Sequence, residues 1–179
     1  VTGIGKPNAC ETREVFCNES GSTLRFFIPF FSLTNQPITF TGQGRLMERP
    51  QSVYETIFKE QGLSFVHKNG TISINGALQG GEFVLEGNVS SQFISGLLFA
   101  LPLCDTSSTI VIKEPFESRS YVCLTMQMLE HFGIETEFTD SNTIYIKGRQ
   151  EYHPGCYSVE GDFSQLAFFA CLAALNNDL

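Results

Sequence analysis

The chain has 179 residues, 42% of them hydrophobic and 17% charged, and 11 Lys and Arg against 19 Asp and Glu give a formal net charge of −8. That balance is globular rather than disordered, and it argues against nucleic acid, whose binding rests on clustered cations. A small anionic ligand is not excluded, because a local group of donors can overcome the global field. The longest apolar runs, residues 97–104 and 26–31, fall short of the ~20 residues a membrane helix needs. No basic-then-apolar leader opens the sequence, so no secretory signal and a cytoplasmic location are expected. The six cysteines and three histidines show no CxxC, zinc spacing or ligand set. No metal or cofactor is expected, and the cysteines read as small buried hydrophobes in a reducing compartment.

In chain order, residues 1–5 (VTGIG) resemble the last strand of a repeat unit. From Phe16 come a short strand, the polar turn NESGS, an apolar helix over 22–33 and a strand over 38–42. A polar loop ending in Arg49-Pro50 leads to a helix over 51–61, followed by the strands SFVH and TISIN. The same order recurs from Phe83: strand FVLEG, turn NVSSQ, a helix over 91–103 and a strand over 109–113. The loop EPFESRS, a helix over 121–132 and the strands IETEF and TIYIK complete it. A third copy opens at Cys156 with a strand CYSVEG, a turn DFSQ and a helix over 166–175. Ser22, Ser91 and Ser164 mark equivalent corners about 70 residues apart, and Gly62 and Gly133 stand where a helix C-terminus takes a left-handed residue.

The fold class is therefore α+β (α/β), built of repeated βαβαββ units. The boundaries are 1–16 for the end of a preceding unit, 17–81 and 82–155 for two complete units, and 156–179 for the start of the next. Repeats of this kind bury their faces against one another, and about three are usually needed for a stable core. The chain thus reads as a piece of a longer protein, and uncovered edges predict self-association of the piece.

Candidate chemistry sits where each first helix opens. Segments 19–22, 89–92 and 162–165 place hydroxyl, amide or carboxylate residues at a strand-to-helix turn, where free N–H groups and the helix dipole attract anions. One such turn is equally explained as an N-cap, Asp162 included; repetition at equivalent corners points to a shared cavity. Gly21 permits close backbone approach, and Ser90 with Ser91 exceeds what one cap requires. In the loop GRLMERP, Arg45 and Arg49 are fork-shaped donors for phosphate or carboxylate, Arg49 being held before a proline. The equivalent loop of the next unit carries Ser118, Arg119, Ser120 and Tyr121, with Ser120 the expected cap. Arg25, in an apolar helix, either snorkels outward or faces a polar cavity. The Phe stripes read as core.

These segments, NESGSTLRFFIPF, GRLMERPQS, GNVSSQFISGLLFALPL, ESRSYVCLTMQML and VEGDFSQLAFF in this order, resemble the 3-phosphoshikimate 1-carboxyvinyltransferase (EPSP synthase) family over the whole chain. The resemblance implies the enolpyruvyl transferase fold, two domains of three βαβαββ units with substrates in the cleft between them. It implies transfer of the enolpyruvyl group of phosphoenolpyruvate to shikimate 3-phosphate with release of phosphate, a step toward chorismate and the aromatic amino acids. By position, Ser90, Ser91, Ser118 and Tyr121 take shikimate 3-phosphate, while Gly21, Arg49 and Gln92 take phosphoenolpyruvate. Gly21 lies where glyphosate competes in this family, and Arg25 and Arg45 are further donors. The family motif Asn-Ala-Gly-Thr-x-x-Arg is altered here, since Glu19 fills its Asn position.

The resemblance places the catalytic acid and base outside these residues, so none is assigned here and the chain alone is expected to be inactive. The intact enzyme is expected to be a monomer. The alternatives are the sister enolpyruvyl transferase acting on UDP-N-acetylglucosamine, which lacks the tandem-serine phosphate site, and a non-catalytic binding module of the same fold.

Overall fold

The computed structural model describes residues 11–176; the strand expected over residues 1–5 lies outside them. The elements run β1 (Glu14–Phe16), α1 (Gly21–Ser32), β2 (Ile38–Thr41), α2 (Ser52–Glu60), β3 (Ser64–Lys68) and β4 (Thr71–Asn75). The order then repeats as β5 (Glu82–Glu86), α3 (Ser91–Ala100), β6 (Ser108–Lys113), α4 (Arg119–His131), β7 (Thr136–Phe138) and β8 (Thr143–Ile146), before α5 (Phe163–Asn176). Two four-stranded sheets result, ordered β1-β2-β4-β3 and β5-β6-β8-β7. In each the first pair is parallel and the other two pairs are antiparallel.

Each sheet buries one face, as the period of two dictates. Ile38 and Phe40 of β2 pair with Ile74 and Ile72 of β4, and all four are buried. Ile110 of β6 pairs with Ile144 of β8 in the same way. Gly62 and Gly133 close α2 and α4 at φ +69° and +81°, conformations that cost a residue with a Cβ. The sheets' helices meet directly: α1 packs on α3, and α3 on α4. An added Cβ on Gly96 would stand 2.4 Å from the Arg25 carbonyl oxygen and 2.3 Å from Tyr54 Oη, so glycine sets how closely α3 approaches α1.

Pro29 lies inside α1. Having no N–H, it leaves the carbonyl of Arg25, four residues back, without its helical donor. The fully buried Tyr54 of α2 supplies one: its hydroxyl donates to that oxygen at 2.7 Å and lies 3.2 Å from the Phe93 carbonyl of α3. Burial pushes this phenol well above its ordinary pKa, so it remains a donor.

Several expected boundaries shift. The first strand, expected to start at Phe16, ends there instead, spanning Glu14–Phe16. The third helix ends at Ala100 and tightens into a 3-10 turn over Leu101–Leu103. The fourth starts at Arg119, making Ser118 its cap residue in place of Ser120. The strand expected over 156–161 is absent: residues 151–162 carry no regular structure. A strand needs a neighbour for its N–H and C=O groups, and none of the described strands lies beside that segment.

Candidate functional site

A parallel pair of strands delivers two chain corners to the same edge of its sheet. In the first sheet β1 and β2 run in parallel from Glu14↔Thr39 to Phe16↔Thr41. The turn into α1 therefore lies beside the loop into α2, joined by Gln43 N donating to the Asn18 carbonyl at 2.7 Å. In the second sheet β5 and β6 end together at Glu86↔Lys113, and Glu117 N donates to the Gly87 carbonyl at 3.2 Å. An added Cβ on Gly87 would meet the Lys113 oxygen at 2.1 Å, so a side chain there would push the two corners apart. The α1–α3 contact then brings the first corner against the second.

Where they meet, four expected residues converge. An added Cβ on Gly21 would lie 2.9 Å from Arg49 Nη1 and 3.5 Å from Gln92 Oε1. Arg25 Nη1 donates to Gln92 Oε1 at 2.9 Å, and Gln92 Nε2 donates to Ser22 Oγ at 2.8 Å. The Arg25 guanidinium lies 4.5 Å from the centroid of the Phe93 ring. Burial, and then the charge of Arg49, lower its pKa, while the nearby Tyr54 works the other way. Among the described residues no carboxylate lies within ion-pair distance of either Arg25 or Arg49. Two guanidinium groups that repel each other without a carboxylate are suited to hold an anion.

Arg49 itself is exposed, in extended backbone before Pro50, as a residue preceding proline prefers. The buried Gln51 lies beneath this loop and donates from Nε2 to the Arg49 carbonyl at 3.4 Å. Arg45 is not brought to the cluster. Its side chain is 89% exposed and pairs with Glu48 at 3.2 Å, because the 3-10 turn Leu46–Glu48 separates the two arginines.

The serines open the helices of the second sheet. Ser90 caps α3, its Oγ accepting from Gln92 N at 3.4 Å, and Ser91 is the first helical residue. Ser118 caps α4 in position only, since its hydroxyl makes no capping bond, and Tyr121 is 63% exposed. These two helix heads are held in relation by Ser95 Oγ and Thr125 Oγ1, 2.7 Å apart, with Thr125 also donating to the Tyr121 carbonyl at 3.1 Å. Arg119 is turned away: it donates to the Ser141 carbonyl and lies 4.2 Å from the centroid of the Phe138 ring. Asp162 caps α5, accepting from Ser164 N at 2.9 Å and Gln165 N at 3.2 Å. A large cavity of about 1150 Å³ runs along α1, lined by Phe26, Phe27, Phe30, Phe99 and Tyr152, and shares Ser22 with the donor cluster. Its other lining residues include Asp105 and Glu151, and Arg149, which pairs with Asp105, so it does not suit an anion.

Tyr54, Gln51 and the Ser95–Thr125 pair escape a reading of the sequence by motif, and Ser22 was singled out only as part of its corner, without a partner. The one signal available was Gly96, a glycine within a strongly apolar helix, which marks a close approach.

The family model for EPSP synthase (3-phosphoshikimate 1-carboxyvinyltransferase) matches residues 1–178. The chain belongs to that family. It is 46% identical over 187 residues to the 3-phosphoshikimate 1-carboxyvinyltransferase of Clostridium beijerinckii, covering 100% of this chain and 43% of that protein. It is 48% identical over 160 residues to the enzyme of the same name from Brachyspira hyodysenteriae, covering 89% of this chain and 38% of that one. The chain thus spans under half the length of these EPSP synthase relatives. Among solved structures, EPSP synthase from Acinetobacter baumannii superposes with a TM-score of 0.69 at 24% identity, covering 87% of this chain and 35% of that one. That likeness shows the enolpyruvyl transferase fold. Among the described residues no helix is long and apolar enough to cross a membrane.

Proposed function

We propose that this chain supplies anion-binding walls of an EPSP synthase active site. The intact protein joins shikimate 3-phosphate to phosphoenolpyruvate and releases inorganic phosphate. The observation that carries the reading is the convergence of Gly21, Arg49 and Gln92, in a chain of this family, on one corner between two helix heads, where no carboxylate of the described residues pairs with Arg25 or Arg49. Arg49 grips the phosphate of phosphoenolpyruvate, Gln92 donates to the same substrate, and Gly21 leaves room for it against the backbone. Ser90, Ser91 and Ser118 hold the phosphate of shikimate 3-phosphate, with Tyr121 along its ring.

In the reaction the 5-hydroxyl oxygen bonds to the enol carbon while the methylene takes a proton. Loss of the hydroxyl proton, then of phosphate and one methyl proton, restores the double bond. The cations stabilise charge in the tetrahedral adduct. The acid and base for these proton transfers are assigned to the part of the relatives' length that this chain does not span. The proposal includes a cytoplasmic, monomeric enzyme without nucleic-acid partners. The net charge of −8 supports the lack of nucleic-acid partners; of the cysteines expected to be buried, Cys17 and Cys104 are, whereas Cys156 and Cys171 are exposed.

Calorimetric titration with shikimate 3-phosphate, then with phosphoenolpyruvate, tests the reading. Arg49→Ala is expected to leave the first affinity intact and weaken the second at least about tenfold, the loss of one charge-assisted contact. Equal phosphoenolpyruvate binding by the two proteins would refute the role of Arg49.

A further inference from the structure

We propose that Arg25 is a positioning residue that fixes which end of the Gln92 carboxamide faces the ligand. The inference rests on Gln92 being a phosphoenolpyruvate donor, as read above. A glutamine side chain carries an acceptor and a donor end of nearly equal shape, whereas a guanidinium can only donate. Arg25 Nη1, 2.9 Å from Gln92 Oε1, therefore commits that atom to be the oxygen. The amide nitrogen is left facing Ser22 Oγ at 2.8 Å. Ser22 uses one of the two N–H bonds, and the other remains for an anion. Rotating the amide by half a turn would set two donors, Nε2 and Nη1, against each other and offer the anion a carbonyl oxygen.

Arg25 is itself tightly held. Its carbonyl takes the Tyr54 hydroxyl, Gly96 packs against its backbone, and its guanidinium lies over Phe93. The placement is not explained by stability. No carboxylate pairs with it among the described residues, and its buried Nε has no hydrogen-bond partner. A half-buried cation with no carboxylate partner and an unpaired Nε contributes little to stability. Its full set of contacts makes sense as a lock on the polarity of Gln92.

The test is a double-mutant cycle with phosphoenolpyruvate as the titrant, in the presence of shikimate 3-phosphate. Arg25→Met should weaken binding about tenfold in the otherwise native protein and less than about twofold in a Gln92→Ala background, because its action runs through Gln92. Equal losses in both backgrounds would mean that Arg25 acts by its charge alone, and would overturn the proposal. Nitrogen-15 NMR of the Gln92 side-chain amide gives a readout independent of substrate. Its two proton signals should move together toward solvent-averaged positions in Arg25→Met and stay near their native shifts in Arg25→Lys, which keeps a donor. An unmoved amide pair in Arg25→Met would also overturn the proposal. A native protein that shows the amide change on mutation yet binds no phosphoenolpyruvate would sink the substrate reading while supporting the lock.

Discussion

A methyl group on residue 21 would sit 2.9 Å from Arg49 Nη1, inside van der Waals contact. The guanidinium is the end of a long side chain and would yield rather than the backbone. Gly21→Ala should therefore fold normally but bind phosphoenolpyruvate about tenfold more weakly, with shikimate 3-phosphate unaffected, as titration of each ligand would report. That Gly21, Arg49 and Gln92 come together was foreseeable because each stands at a chain corner, where parallel strands leave little freedom over where a residue goes. Arg45 was not, since a three-residue turn decides which of two nearby arginines looks inward, and both are good loop residues. Ser118 and Ser120 posed the same difficulty, being equally good caps. Ser22 went unassigned because a hydroxyl at a helix start already has a sufficient explanation in capping.

Helix α1 crosses a proline without breaking because α2 supplies the missing donor. Tyr54→Phe would leave the Arg25 carbonyl buried and unpaired, and should lower stability by about 1–3 kcal/mol, read from the denaturant midpoint at an unchanged slope. A loss below a few tenths would mean that water or the neighbouring helix takes over. The apolar pattern alone carried α1 through Pro29, and the alternating patterns of β2, β4, β6 and β8 fixed which faces are inward. The tyrosine that makes the proline tolerable lies 25 residues further on, beyond any local pattern. The segment over 156–161 failed for a related reason. Its alternation is strand-like, but pairing is a property of two segments, and a single run of residues cannot show whether its neighbour is there.

Two sheets of identical order in one chain were foreseeable from the period of the corners. The surroundings of α5 were not. Phe163, Leu166, Phe168, Phe169 and Leu175 are 54–82% exposed, an apolar surface of a kind that normally marks a contact site. The 179-residue chain should therefore associate as its concentration rises, and Phe168→Ser with Phe169→Ser should suppress this in sedimentation velocity. A monomer at every concentration would refute it. Helix α5 carries no Asp, Glu, Lys or Arg across Phe163–Asn176, so the whole excess of negative charge is borne by the rest of the chain. Mutual repulsion between copies then guards every face but this one. Added sodium chloride, which dissolves complexes built on opposite charges, should here shield that repulsion and drive copies together.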